Sequence, residues 1–430
     1  MKFKLTLMIA VTVLTQLKPS TVVAENWPSW RGPSSNSVST ESVPTKWDAD
    51  TNVAWKIDLP GPAGSTPVVW GDRIFLTSAD GRDLKLMCFG TDGKQQWAHA
   101  ISSAGEKTVR KDEGNFASPS PTTDGEHVWT MMGDGQLACF TVEGKKVWGL
   151  DLQKEFGKFK IQFGMASTPV LYGDHLYLQL IHGDGKPATQ EAAVIALEKA
   201  TGKTAWKVGR DTGASRENEH SYSSPLLYDF GGLTYLVTHG GDYTVAFDLK
   251  DGRELWRLGG LNPQNDANRR YHPTLRFVSS PGIADGIIVS PTAKDGRTFA
   301  IKPDKNGDLT GDKDAALWVI DGTPDVPSPL IHDGIVYLCH ANGNLQALDM
   351  KTGKQHYMVR TERTRHRASP LYAGGHVYLS ARTGKITVVK AGKKFEKVAV
   401  NDIGEDITSS PVVANGTLYL RSFKSLWAIR

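Results

Sequence analysis

An all-β, eight-bladed β-propeller of four-stranded antiparallel blades is the fold this sequence predicts, and three observations predict it. A Ser/Thr-Pro element recurs at Pro67, Pro119, Pro169, Pro225, Pro281, Pro329, Pro370 and Pro411, at intervals of 41 to 56 residues. After each come short apolar runs divided by turns such as WGDR, YGDH, HDGI and ANGT, then a last run that usually carries tryptophan, as in EGKKVW and DGRELW. The eighth copy stops at SLWAI, one strand short, while an orphan run NVAWKIDLP (52–60) precedes the first copy with Trp55 in the tryptophan slot.

Each copy reads as four short strands. Asp-Gly, Asn-Gly and Thr-Gly supply the positive backbone angles that tight hairpin turns require. A sheet this small cannot bury both faces alone, so neighbours must stack, and the twist of each sheet fans the stack around an axis. The tryptophans are read as wedges between adjoining sheets. Strand 52–60 is expected to join the C-terminal blade as its missing outer strand, which closes the ring and removes an exposed edge.

Taken from the beginning, the chain opens as an export leader. Lys2 and Lys4 precede the apolar run LTLMIAVTVLTQL (5–17), and Val22 and Ala24 occupy the small-residue positions of a cleavage site after Ala24. The apolar run falls short of the ~20 residues a spanning helix needs, so no stable membrane insertion is expected once the leader is removed. The domain reading is therefore 1–24 signal peptide, 25–51 N-terminal extension and 52–430 propeller, with residues 25–51 lying across the outside or one end. The protein is expected to be periplasmic or extracellular, in a bacterium, and monomeric. A formal charge of +4 over 430 residues calls for no nucleic-acid partner.

Of the three cysteines, Cys88 and Cys139 fall in the same slot of two repeats, where alanine or valine stands elsewhere. They and Cys339 are read as small buried hydrophobes rather than a disulfide or metal pair. Two copies depart from the pattern. The fifth carries IKPDKNGDLTGDKDAALW (301–318), in which Asp304, Asn306 and Asp308 alternate. Gly307 falls too early for a calcium loop and Ala315 stands where its closing glutamate belongs, so a surface hairpin extension is expected. The seventh has KAGKKFEKVAV and no tryptophan, which predicts a sheet less firmly docked.

The segments from each outer strand to the next inner strand gather at one mouth of the central channel. From tryptophan to the following proline they span 22, 21, 19 and 25 residues in copies one to four, then 11 after Trp318 and 13 after Tyr357. Loops carried on a rigid scaffold are where binding resides. Arg269, Arg270, Arg276, Arg365 and Arg367 are candidates for contacts to carboxylate, sulfate or phosphate groups. Glu217, Glu219, Asp325, Glu405 and Asp406 offset that charge or meet hydroxyls, and Phe163, Tyr222, Tyr271 and Phe277 offer stacking faces. His220, His272 and His366 each precede a Ser/Thr-Pro element but lack the close spacing of a metal site, so no metal is expected. No G-x-S-x-G, HExxH, G-x-G-x-x-G or phosphate loop is present, so no catalytic residue is assigned.

Residues 27–430 resemble the PQQ-like propeller family, whose repeats run roughly S-S-P-x-x-x-x-G-x-x-Y/V followed by A-x-D-x-x-T-G-x-x-x-W. ALDMKTGKQHY (347–357) and VAFDLKDGRELW (245–256) carry the resemblance, and WPSWRGP (27–33) is similar to the start of exported bacterial members. The resemblance implies the fold and two alternative roles. One branch comprises dehydrogenases that hold pyrroloquinoline quinone with calcium on the axis, beneath a disulfide between adjacent cysteines; this sequence has no adjacent cysteine pair. The other is non-enzymatic and scaffolds outer-membrane protein assembly from a lipid-bearing cysteine, which does not follow the cleavage site here. The expectation drawn is a non-catalytic binding or scaffolding propeller for a protein, peptide or anionic glycan, without a cofactor. A quinoprotein-type oxidoreductase is the alternative.

Overall fold

The computed structural model describes residues 25–48, 51–103, 114–183, 191–214, 216–261 and 276–430. They form eight small antiparallel sheets in a ring. Blade 1 starts with the inner strand Val68–Trp70 and ends with the outer strand Gln95–Ser103. Inner strands of blades 2 to 8 begin at Thr122, Val170, Leu226, Gly282, Leu330, Leu371 and Val412. The eighth sheet has the order expected from sequence. Its outer strand is Val53–Asp58, paired antiparallel with Ser425–Ile429 so that Trp55 faces Ala428 and Ile57 faces Leu426.

The recurring glycine and tryptophan have one shared cause. Five of the six outer-strand tryptophans among the described residues lean over the last hairpin of the next blade and donate the indole N–H to a carbonyl there; Trp256 instead packs edge-on against Tyr235 of its own blade. Trp55 reaches Thr91 O at 2.9 Å, Trp97 reaches Val142 O at 3.0 Å, Trp148 reaches Lys199 O at 2.9 Å, Trp206 reaches Leu249 O at 3.0 Å and Trp318 reaches Met350 O at 2.8 Å. The hairpin glycine lies directly beneath the ring. At Gly93, Gly144, Gly202, Gly252 and Gly353 the backbone has positive φ, and an added Cβ would sit 2.6–3.0 Å from the indole. Only glycine satisfies both conditions.

The two irregular copies find other solutions. In the fifth, residues 302–315 do not stand out as a surface hairpin: Gly307–Asp308 pairs in parallel with the outer strand of blade 4, opposite Trp256 and Arg257. Leu309 and Ala315 are buried beside Trp256, so apolar contact pulls the extension onto the neighbouring blade. Its acidic groups are engaged locally, Asp308 accepting from Thr310 N at 2.9 Å and Asp312 from Lys305 at 2.6 Å. In the seventh copy the expected loose docking is not seen. Phe395 meets Tyr357 edge-on at 5.7 Å, and buried Trp47 from the N-terminal segment belongs to the core cluster against which Val398 and Ala399 pack. Asn401 accepts from Trp47 N and donates to Thr45 O, both at 3.0 Å, so the segment substitutes for the missing tryptophan. The three cysteines are free and buried, and burial pushes each thiol up to about 12.

Residues 25–48 are a strap across one end of the ring. Trp27 exchanges both backbone hydrogen bonds with Val69 of blade 1 at 2.8 Å, and Pro28 O accepts from Thr123 N of blade 2 at 2.9 Å. Four residues later Arg31 donates to Pro281 O of blade 5 at 2.7 Å and to Pro329 O of blade 6. Blades 1 and 5, and 2 and 6, face each other across an eight-membered ring. The strap therefore spans the bore, then pairs Val38 with Tyr372 of blade 7.

Candidate ligand site in the axial bore

The Ser/Thr-Pro elements build the bore. Each Ser or Thr hydroxyl accepts the backbone N–H of the equivalent residue in the preceding blade. Thr66 N donates to Ser120, Ser120 N to Thr168, Thr168 N to Ser224 and Ser224 N to Ser280, at 2.9–3.2 Å. Ser280 N then donates to Ser328, Ser328 N to Ser369, Ser369 N to Ser410 and Ser410 N back to Thr66, at 3.0–3.1 Å. Eight bonds thus close a circle. This register corrects one sequence reading: in blade 2 the element is Ser120-Pro121, not Ser118-Pro119, because only Ser120 stands in line. A hydroxyl that accepts one N–H keeps its own proton and a second lone pair, and all eight hydroxyl residues line the axial cavity.

Chain direction then separates the two ends. Residues after each ring hydroxyl touch the strap, as Pro281, Pro329 and Ile331 do. Residues before it face the mouth: Asn115, Phe163, Tyr222, Arg276, Asp325 and Arg367 all line the cavity. Trp30 of the strap lines it too, so the bore is blind, with a cavity of about 270 Å³.

At the mouth the charges lie close together. Arg276 donates to Glu217 at 2.9 Å and lies 4.9 Å from the centroid of the Phe163 ring. Tyr222 is buried, accepts from Phe163 N at 3.3 Å, and burial pushes its hydroxyl up to about 12. Asp325 adopts φ +71°, a left-handed conformation that aspartate tolerates better than most residues. Burial raises its carboxyl above the usual carboxylate range against the opposing pull of Arg367, Arg276 and Lys294. The site thus combines aromatic faces, two guanidinium groups and one partly desolvated carboxylate.

Of the residues singled out from sequence, Phe163, Tyr222, Arg276, Asp325 and Arg367 come together on the cavity wall, with Glu217 one contact behind them. Arg269, Arg270, Tyr271 and His272 lie outside the described residues. His220 bridges to His182 on blade 3, and burial lowers both imidazoles. His366 is fully buried with Nδ1 3.1 Å from Thr364 O, and Phe277 is buried edge-on against His239 at 4.7 Å. Asp406 pairs with Arg382 at 2.8 Å, and Glu405 with Lys56 at 2.6 Å. Arg365 is exposed, and Glu219 belongs to a short 3-10 turn with Glu217. Sequence reasoning missed Trp30, Asn115 and the hydroxyl ring. The signal for the ring was present, since a Ser or Thr precedes every repeat proline.

A quinone held by calcium does not fit these residues. Calcium takes six to eight oxygen ligands, several from carboxylates, whereas among the described residues Asp325 is the one carboxylate on the cavity wall and feels two arginines. No group of three or more His, Cys, Asp or Glu side chains converges among the described residues.

Comparison with known proteins adds relatives. A family model described as outer membrane protein assembly factor BamB matches residues 32–113, 89–315 and 285–430. Polyvinylalcohol dehydrogenase from a Pseudomonas species is 22% identical over 303 residues, covering 60% of this chain but only 46% of its own length. Outer membrane protein assembly factor BamB of Yersinia pestis is 24% identical over 311 residues, covering 69% of this chain and 70% of its own. Among solved structures, quinohemoprotein alcohol dehydrogenase from Comamonas testosteroni superposes with a TM-score of 0.65 at 13% identity, over 94% of this chain and 80% of its own, a likeness of fold alone.

Proposed function

The chain belongs to the PQQ-like propeller family whose model is described as outer membrane protein assembly factor BamB, and on that premise we propose that it is a non-catalytic binding or scaffolding propeller. Its ligand enters the bore through the loop-rich mouth. The observation that carries this reading is the blind, hydroxyl-lined cavity. Among the described residues it offers donors, acceptors and aromatic faces, but no cluster of donors for a metal-held quinone. The nearest partner class is a protein segment or peptide. Among the described residues of the rim, Arg276 is tied to Glu217 and Arg367 acts on Asp325, so these two guanidinium groups are partly engaged before a ligand arrives. Export with removal of the first 24 residues is part of the same proposal, supported by the leader pattern and by a relative named for the outer membrane.

Two measurements test it. Wild-type protein probed on peptide and sulfated-glycan arrays is expected to retain a subset of peptides, and retention should drop at least tenfold in Tyr222→Ala and in Arg367→Ala. An exposed change far from the bore, Lys393→Ala, should leave it intact. Pyrroloquinoline quinone added with calcium should give neither a bound chromophore nor dye reduction with alcohols. Quinone-dependent dye reduction would overturn the non-catalytic reading, and retention by sulfated glycans alone would overturn the peptide.

A further inference from the structure

The strap begins with an unusual meeting of carboxylates. The Glu25 backbone nitrogen lies 2.9 Å from Glu41 Oε1, and Glu41 is 9% exposed. The other oxygen of Glu41 accepts Gly416 N in the first hairpin of blade 8 at 2.7 Å. The Glu25 side chain turns to the same place, accepting from Ser39 Oγ at 2.6 Å and Thr40 N at 3.2 Å. Among the described residues neither carboxylate has a lysine, arginine or histidine partner. Tyr419 senses Glu41 from blade 8, and Arg430 turns instead to Thr417 Oγ1 at 2.7 Å. A buried carboxylate without a cation is costly, so this corner is one positive charge short.

We propose that hydrolysis of the Ala24–Glu25 bond supplies that charge. A signal-peptidase-type hydrolase adds water across the bond, leaving a carboxylate on Ala24 and a free amine on Glu25. That amine takes up a proton and becomes an ammonium. The nitrogen is already within hydrogen-bond distance of Glu41 Oε1, so the new ammonium forms an ion pair there without rearrangement. Through Glu41 it ties the start of the strap to blade 8, the blade that closes the ring. Two features meet independently. The small residues Val22 and Ala24 put the cut after position 24, and the fold places the nitrogen of position 25 on a buried acid. Processing therefore fastens the strap as well as removing the leader. The inference does not depend on what the bore binds.

The sign of the pH dependence follows from the pairing. A free α-ammonium titrates at about 8, and the contact with Glu41 raises that value in the folded state. The contribution is complete below about pH 8 and is lost as pH climbs through the raised value.

The test uses secreted protein. Intact mass of the wild type should correspond to a chain starting at Glu25. A variant with Gly-Ser inserted between Ala24 and Glu25 carries its amine away from Glu41, and should melt on the order of 2 °C lower at pH 6.5. The gap should shrink to nothing by about pH 10, beyond the raised value. Glu41→Gln should lower the wild type and leave the inserted variant much less affected. Should Glu41→Gln fail to accumulate, the insertion series alone decides. A first residue other than Glu25, or equal melting of wild type and insertion at every pH, overturns the proposal.

Discussion

Arg31 and Arg276 stand at opposite ends of one bore and illustrate two uses of a guanidinium. Arg31 is fully buried, bonded to the carbonyls of Pro281 and Pro329 and to Asn36, and burial lowers its pKa to about 9. Arg276 is partly exposed, paired with Glu217, and faces the cavity. The strap end is thus built like a protein core, with its buried guanidinium held by backbone carbonyls and by Asn36. The mouth keeps polar groups that other molecules can reach. The contrast assigns stability to one end and binding to the other.

The largest effect is expected at the strap. Trp27 is fully buried against the core of blades 1, 7 and 8. Trp27→Ala should cost about 4 kcal/mol of unfolding free energy, the usual scale for emptying a core site of an aromatic ring. Arg31→Leu should follow at about 3 kcal/mol, because two buried carbonyls lose their donor. Arg276→Ala should cost less than about 1 kcal/mol, as partly exposed ion pairs do, while abolishing retention of the bore ligand. Denaturant titration and array binding on the same samples measure both. A stability loss in Arg276→Ala equal to that in Arg31→Leu would erase the distinction between the ends.

A middle-sized effect is expected at Asp325, where stability and binding oppose each other. Its raised pKa means the folded state binds a proton more readily than the unfolded one. Stability therefore falls as pH rises from the ordinary aspartate value of about 4 through the raised one. Asp325→Asn keeps a side chain that tolerates positive φ and removes the desolvated charge. It should stabilise the protein at pH 7 by about 1 kcal/mol, with the gain fading below about pH 4, and should weaken ligand retention. Destabilisation at pH 7 would show that the carboxylate is a structural partner of Arg367 instead.

The same two ends differ in how far the sequence discloses them. The ring was legible because five of its blades repeat one steric problem, an indole over a glycine turn, down to Trp55 closing the eighth sheet. The strap was legible only in part, as a segment across one end. Nothing in WPSWRGP states that Arg31 finds its partners about 250 and 300 residues away. The mouth was least legible, since a long loop rich in arginine and histidine is equally compatible with lining a cavity and with packing behind it. Arg276 and Arg367 reached the bore, while His366 turned into the wall, where its backbone bridges to Ala381. The fifth copy misled because its Asp-Asn-Asp pattern drew notice from Leu309 and Ala315, the residues that dock it.

The smallest expected effect is a coupling, below about 0.5 kcal/mol, across the boundary between the two ends, the hydroxyl circle. Thr66→Val keeps the shape of the side chain and removes the acceptor for Ser410 N, at the seam where the last blade meets the first. One buried N–H without a partner costs about 1 kcal/mol. Ser280→Ala, four blades away, removes the acceptor for Ser224 N and should cost about the same. If the circle is a chain of independent bonds, the double variant should lose the sum of the two to within about 0.5 kcal/mol, as distant sites do. A larger combined loss would mean that the eight blades share strain around the ring, coupling the strap end to the mouth through the very residues that line the bore.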